Sequence, residues 1–140
     1  MNKDTSKIVE ELKECSDFKK FYAGNREFVK DKTLSEYLGA LIEEKGLVRS
    51  AIIKKSELSE IYAYQIISGV RRPERKKLLA LTVGMGLDLE ETQRLLKVAG
   101  YPELYVKNTF DCIVMYGICR KMSVMEINEM LYDYGADTIG

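Results

Sequence analysis

The chain has 140 residues, and its 22 basic and 22 acidic side chains give a formal net charge of zero. It lacks histidine, the commonest general base and metal ligand, and its three cysteines are not spaced as metal ligands. No apolar stretch approaches the roughly 20 residues of a membrane span, and the N-terminus lacks the apolar segment of an export signal. We therefore expect a cytoplasmic protein that is not an enzyme, with no metal or cofactor site and no contact with a membrane.

The first 32 residues are expected to form an N-terminal helical segment. Apolar side chains follow one broad face of a helix from Asp4 to Tyr22, which Ala23-Gly24-Asn25 then ends. This face contains Ile8, Val9, Leu12, Cys15 and Phe18. Phe21, Tyr22 and Phe28 form an aromatic group, which we interpret as a core or dimer contact because aromatic side chains at helical spacing usually pack together.

A capping box opens the next predicted helix. Thr33 stands at the N-cap position and Glu36 follows three residues later. The helix is expected to run to about Lys45 and to end at Gly46. Its inward face contains Leu34, Tyr37, Leu38, Leu41 and Ile42.

Two short helices joined by a tight turn are predicted between Leu47 and Gly69. The first covers about 48–56 and the second about 60–68. Ser59 is placed to cap the second helix, and Gly69 is placed to end it in a left-handed conformation. The stripe expected to face the core contains Ala63, Ile66, Ile67 and Val70. Two short helices of this kind, the second with a polar outer face, are the geometry that inserts a helix into the DNA major groove.

Two more helices complete the central part of the chain. The proline of Arg72-Pro73 suits the first turn of a helix that is expected to run to about Met85. Past its basic first turn this helix is almost entirely apolar, which predicts that it is the central core helix. Asp88 then caps a fifth helix, which ends at Gly100.

Past Pro102 the sequence predicts an antiparallel pair of helices. Asn108 opens the first, and a capping box of Ser123 and Glu126 opens the second. The connection between them is short, so the two helices form a hairpin. Their apolar faces are expected to include Cys112, Cys119 and Tyr134. Because no histidine is present to activate them, we interpret the two cysteines as reduced core thiols.

Positive charge is concentrated around the two short helices. Between Val48 and Lys77 the chain carries eight basic residues against three acidic ones, a net charge of +5. The basic residues are Arg49, Lys54, Lys55, Arg71, Arg72, Arg75, Lys76 and Lys77. Segregated positive charge is typical of a nucleic-acid contact, although a local basic excess also occurs on solvated surfaces.

The five central helices resemble the lambda-repressor-like (XRE) helix-turn-helix family. The resemblance is carried by Leu58-Ser59, Ala63, Ile66, Gly69, Arg71-Arg72-Pro73, Leu78-Leu79-Ala80-Leu81, Leu87 and Leu89. It implies an all-α fold, with an N-terminal helical segment at 1–32, a five-helix DNA-binding core at 33–100 and a C-terminal helical hairpin at 101–140. The chain is similar to small bacterial members of the family in which such an extension follows the core.

Three residues depart from the family pattern. Glu57 stands in the turn where the family usually has glycine, so a left-handed or adapted backbone is expected there. Ile53 stands where a small alanine usually lets the two short helices approach each other. Ile67 replaces a frequent glutamate. These departures bear on the docking geometry and leave the predicted fold unchanged.

The resemblance also implies which residues contact DNA. Base contacts are expected on the recognition helix, about Glu60–Ser68, from Glu60, Ile61, Tyr64 and Gln65. The Gln65 amide suits adenine, and Ile61 suits a thymine methyl group. Phosphate contacts are expected from Arg49, Ser59, Ser68, Arg71, Arg72 and Lys76. The implied function is a transcriptional regulator that binds specific sequences of double-stranded DNA.

A homodimer is the expected working form of such a regulator. Two recognition helices one DNA turn apart, roughly 34 Å, would read a near-palindromic site. The N-terminal helix or the C-terminal helix pair would supply the dimer contact, because both are amphipathic additions to the DNA-binding core.

A protein-binding role is the alternative. Exposed Ile61, Tyr62 and Tyr64 would form an apolar and aromatic patch of the kind that protein interfaces favour. The chain would then be an adaptor or an antitoxin-like partner with weak or no DNA binding. The basic residues between Arg71 and Lys77 favour DNA, because they suit phosphates and have no evident use in an apolar contact.

Overall fold

The computed structural model describes residues 4–27 and 33–140. Within these ranges every regular element is an α-helix, which confirms the expected all-α class. The helices are α1 (Thr5–Glu14), α2 (Phe18–Asn25), α3 (Leu34–Glu44), α4 (Arg49–Ser56), α5 (Glu60–Ser68), α6 (Arg75–Met85), α7 (Leu89–Val98), α8 (Thr109–Cys119) and α9 (Val124–Asp133). The described residues form two compact units, 4–27 and 33–140. None of their helices has the length and apolar character needed to cross a membrane.

The N-terminal unit contains two helices where the sequence predicted one. The backbone becomes extended at Cys15, and the Asp17 side chain accepts a hydrogen bond from the Lys19 N–H to open α2. The break predicted at Ala23-Gly24-Asn25 was therefore wrong, because these residues belong to α2. The helical spacing of apolar residues continues across both helices, so it gives no sign of the break. The Asp17 cap begins a new helix within that spacing.

The aromatic group of this unit is only partly packed. Phe21 is buried, but Phe18 and Tyr22 are exposed and lie with their ring centroids 6.0 Å apart. The Asn25 side chain donates to the Phe21 carbonyl and to a Glu11 carboxylate oxygen, which ties the end of α2 to α1. Phe28, the third predicted member, lies outside the described residues.

The predicted caps begin the helices of the larger unit. Five residues accept a first-turn amide hydrogen bond as expected, namely Thr33, Ser59, Asp88, Asn108 and Ser123. Ser123 also forms a complete capping box with Glu126. Each cap satisfies an amide that has no partner within its helix and contributes about 1 kcal/mol.

Helix α6 is the central element of the larger unit, as predicted, and it packs against α4, α7 and α9. Its buried side chains include Leu78, Leu79, Ala80, Leu81, Thr82 and Met85. At Gly84 it meets α4 so closely that a Cβ atom would lie 2.7 Å from both the Ile52 carbonyl oxygen and the Ser56 backbone nitrogen. The α4–α6 contact therefore depends on a residue without a side chain.

The C-terminal hairpin shares this core. Helix α8 packs against α7 and α9, with Gly117 directly against the Ile127 side chain. The Asn128 side chain donates a hydrogen bond to the Ile139 carbonyl and accepts one from the Ile139 N–H, which folds the last residues back onto α9. Ile139 is buried as a result.

Two expectations about helix ends are corrected. Helix α6 begins at Arg75, with Glu74 at its N-cap, so Pro73 lies before the helix and outside its first turn. Val70 was expected to continue the inward stripe of α5 but is 78% exposed. Gly69 has a φ of +85°, which turns the chain away from α5. Val70 therefore no longer follows the helical spacing of the inward stripe.

Three side chains of the hairpin were expected on its inward faces and are exposed. The inward face of α8 consists of Ile113, Val114, Gly117 and Ile118, which leaves Cys112 and Cys119 on the outward side. Tyr134 follows the last residue of α9 and is also exposed. Apolar residues occur on all sides of α8, so its sequence does not reveal which side meets the core.

Candidate nucleic-acid interface

The turn between α4 and α5 consists of Glu57, Leu58 and Ser59. Glu57 has a φ of 58°, so its backbone is left-handed, which is one of the two forms expected at this position. The Ser56 hydroxyl accepts from the Leu58 N–H, and the Ser59 hydroxyl accepts from the Tyr62 N–H. These bonds hold the first turn of α5 at a defined position after α4.

The outward face of α5 is open to solvent. Glu60 and Ser68 are exposed, Ile61 is 73% exposed and Tyr64 is 41% exposed. Gln65 is half-buried. The opposite face packs into the core through Ala63, Ile66 and Ile67. Three of the four expected base-contacting residues are thus exposed, and the fourth, Gln65, is half-buried.

Two cations contact the aromatic ring of Tyr62, a residue of α5. The Arg71 guanidinium lies 5.0 Å from the centroid of the Tyr62 ring, and the Lys77 ammonium lies 5.6 Å from it. The Arg71 N–H also donates to the Gln65 carbonyl, which ties this arginine to the end of α5. The ring stabilises both cations. Lys77 was missing from the expected contact residues, because only the tertiary fold places it on Tyr62.

Two other residues that were expected to contact phosphates have partners within the folded chain. The Arg72 guanidinium donates to the Ala99 carbonyl and lies 5.0 Å from the centroid of the Tyr101 ring. The Lys76 ammonium lies 2.6 Å from an Asp137 carboxylate oxygen. That hydrogen bond and the positive charge of Lys76 lower the pKa of Asp137 below its ordinary value.

The remaining phosphate candidates lie at helix ends. Arg49 is the first residue of α4 and is exposed. Ser59 is occupied as the N-cap of α5, and the Ser68 hydroxyl donates to the Gln65 carbonyl. A cleft of about 470 Å³ beside the start of α3 brings Ser68 together with Arg71 and Arg72.

Arg75 makes structural contacts and is therefore not a free cation beside α5. It forms a bidentate ion pair with Asp111 and donates to the carbonyls of Pro102 and Glu103. The sequence alone could not distinguish Arg75 from its neighbours, since its partners lie 27 to 36 residues further along the chain.

A groove on the larger unit was also not anticipated. Its volume is about 790 Å³, and it lies between α4, the end of α6 and the α8–α9 turn. Apolar side chains from all three segments line it, including Ala51, Val83, Met85, Ile118, Met122 and Met125. In the described part of the chain, no cluster of three or more cysteine or carboxylate residues could hold a metal ion.

Searches against protein-family models, curated proteins and solved structures found no match to this chain. The candidate interface therefore rests on the geometry given above.

Proposed function

We propose that this chain is a transcriptional regulator that binds specific sequences of double-stranded DNA through a lambda-repressor-like helix-turn-helix. The observation that carries the proposal is the exposed outward face of α5 together with two cations, Arg71 and Lys77, that contact the ring of Tyr62 on the same helix. A major groove admits a helix of this size, and the flanking phosphates require positive charge where the helix leaves the groove. In this role the protein would work in the cytoplasm.

The side chains on α5 suit base edges. The Gln65 amide can form two hydrogen bonds with adenine, and the exposed Ile61 side chain can contact a thymine methyl group. Glu60 accepts hydrogen bonds only, so it would select for the amino group of cytosine. The first two turns of α5 would then supply two hydrogen-bonding contacts that discriminate between bases, from Glu60 and Gln65, and one apolar contact, from Ile61.

Positive charge is available for about three to five phosphate contacts. Arg49 and Arg71 are exposed, and Lys77 contacts the same Tyr62 ring as Arg71. Arg72 and Lys76 can exchange their intramolecular partners for phosphates. The log of the association constant should then fall against the log of salt concentration with a slope of about −3 to −4.5. A homodimer would place two copies of α5 about 34 Å apart on a near-palindromic site.

The alternative is a protein-binding module with weak or no DNA binding. Its support is the exposure of Ile61 and Tyr64, two large side chains that carry no charge. Tyr62 does not belong to such a patch, because it is half-buried and covered by Arg71 and Lys77.

Selection of bound sequences from random duplexes tests the proposal. Enrichment of a motif with two half-sites one helical turn apart is expected, and binding of the selected duplex should weaken steeply with salt. Weak binding with no enriched sequence would leave only a non-specific polyanion contact. No binding at low salt would contradict the proposal and favour the protein-binding alternative.

A further inference from the structure

Two tyrosines hold the segment that connects α5 to α6. This segment, residues 69–74, has no regular secondary structure and carries Arg71 and Arg72, both of which are exposed. Tyr62 reaches it from α5, and Tyr101 reaches it from the part of the chain that follows α7. Each tyrosine contacts the segment twice, once through its hydroxyl group and once through its ring.

The two hydroxyl groups bond to the two polar ends of one peptide group. The Tyr101 hydroxyl donates to the Pro73 carbonyl at 2.6 Å, and the Glu74 N–H donates to the Tyr62 hydroxyl at 3.4 Å. This carbonyl and this N–H belong to the peptide bond that joins Pro73 to Glu74. Because Glu74 is the N-cap residue of α6, the two hydrogen bonds fix the segment where it enters that helix.

The two rings contact different arginines. The Arg71 guanidinium lies 5.0 Å from the centroid of the Tyr62 ring, and the Arg72 guanidinium lies 5.0 Å from that of the Tyr101 ring. The attraction of a ring for a cation does not use the N–H groups of the cation. Among the described residues, the Arg71 guanidinium forms no hydrogen bond, and Arg72 donates only through Nη2, to the Ala99 carbonyl. Most N–H donors of both arginines therefore remain available to a ligand.

The contact between Arg120 and the Tyr116 ring shows a simpler arrangement. Its guanidinium lies 5.2 Å from the ring centroid, but the two residues are four positions apart at the end of α8, where helical spacing alone brings them together. The Tyr116 hydroxyl has no hydrogen-bond partner in the part of the chain that the structure describes. Only Tyr62 and Tyr101 thus combine a ring under an arginine with a hydroxyl group bonded to the backbone beside that arginine.

We propose that Tyr62 and Tyr101 are positioning residues for DNA binding, which hold Arg71 and Arg72 in place before DNA is bound. Phosphates are the partners that the two arginines would contact, so the inference rests on the proposed function. Immobilising a side chain as flexible as arginine weakens binding by roughly two- to tenfold. A side chain that a ring already holds in the free protein has less freedom to lose. The two rings should therefore strengthen binding without contacting DNA themselves.

Side-chain NMR of the free protein tests this positioning without DNA and without any substitution. The Nε–Hε groups of Arg71 and Arg72 should be more ordered than those of Arg49 and Arg94. The latter two are exposed and contact no aromatic ring in the described ranges, so they show how mobile an unheld arginine is in this fold. Equal order of all four side chains would overturn the inference.

Substitution of each tyrosine tests whether it holds its own arginine. Tyr62→Leu should lower the order of Arg71 more than that of Arg72, and Tyr101→Leu should do the reverse. Thermal unfolding of both variants checks that the fold is kept. A tyrosine that only stabilised the fold would not show this one-to-one pattern. Equal loss of order at both arginines in either variant would therefore contradict the positioning role.

Double-mutant cycles with a duplex of arbitrary sequence test whether each ring acts through its arginine. Tyr101→Leu should weaken binding roughly two- to tenfold with an unchanged salt slope, because the number of phosphate contacts stays the same. Its effect should disappear in Arg72→Ala protein and persist in Arg71→Ala protein. Tyr62→Leu should keep its effect in Arg72→Ala protein but only part of it in Arg71→Ala protein, since Lys77 contacts the same ring. Equal effects of Tyr101→Leu in both backgrounds would overturn the inference.

The NMR and binding measurements together distinguish the two ways of failing. Ordered arginines in a protein that binds no duplex at low salt would contradict DNA binding, and with it the positioning role. Binding by a protein in which Arg71 and Arg72 are as mobile as Arg49 would contradict the positioning role alone.

Discussion

Arg75 and Asp111 join α6 to α8 through two parallel hydrogen bonds, Nη1 to Oδ1 at 3.0 Å and Nη2 to Oδ2 at 3.1 Å. The Asp111 carboxylate also accepts from the Tyr105 N–H, and Arg75 donates to two backbone carbonyls. Four of the five guanidinium N–H groups thus bond to the fold, and the hairpin is attached to the core by a charge pair in addition to its apolar contacts.

Asp111→Asn should destabilise the protein by about 2–3 kcal/mol, because it leaves a partly buried guanidinium without its countercharge. Arg75→Lys should cost a similar amount, since an ammonium cannot form the bidentate pair or reach both carbonyls. Urea unfolding gives the free energy. Glu103→Gln, which removes the exposed ion pair with Lys97 at 3.6 Å, is the control and should change stability by less than about 0.5 kcal/mol. If Asp111→Asn and Arg75→Lys changed stability as little as Glu103→Gln does, the Arg75–Asp111 pair would not be structural.

Gly84→Ala should destabilise the protein by about 1–3 kcal/mol, because the new methyl group would force α4 away from α6. Gly39→Ala is the matched control. Gly39 lies within α3, and a Cβ atom added there would meet no atom of another part of the fold within 4 Å. Alanine at this position should therefore stabilise the protein by about 0.5–1 kcal/mol. Thermal unfolding of both variants measures the difference. A stabilised Gly84→Ala would show that α4 and α6 separate without cost.

Gln65→Ala should relax the preference at one base pair and weaken binding of the selected duplex by about 1–3 kcal/mol. Arg71→Ala should instead weaken all sequences alike and reduce the magnitude of the salt slope by about one. Competition binding with single-base-pair variants of the selected duplex distinguishes the two. Lys107→Ala removes an exposed charge outside the candidate interface and controls for net charge. An unchanged base preference in Gln65→Ala would mean that another face of α5 meets the DNA.

Lys76→Met should raise the pKa of Asp137 toward its ordinary value of 3.8, because the hydrogen bond and the positive charge that lower it are removed. Since the pKa is lower in the folded state, the pair stabilises the fold at pH values above the unfolded pKa. That contribution is lost as pH falls through the folded pKa. It should be small, because both side chains are exposed. Carboxyl-carbon NMR follows the titration. Lys107→Met serves as the control, and an identical shift in both variants would exclude a specific pair.

Local signals in the sequence predicted local structure well. Ser59 and Gly69 bound α5 as expected, and Glu57 adopts the left-handed backbone that its position required. A cap or a left-handed residue depends on atoms within a few positions along the chain, so the sequence contains all the information that decides it. The break between α1 and α2 at Asp17 was missed, because a cap within a continuous apolar pattern competes with that pattern.

The sequence by itself determines which segments form helices, where most of these helices end, and which face of α5 stays open. These features depend on the helical spacing of apolar side chains and on first-turn hydrogen bonds. Which cations remain available at that face was decided only by tertiary contacts. Arg75 pairs with Asp111 and Lys76 with Asp137, whereas Arg71 and Lys77 both contact the ring of Tyr62. Electrostatic attraction and ring contact act through space, so the partner of a charge depends on where the folded chain brings it.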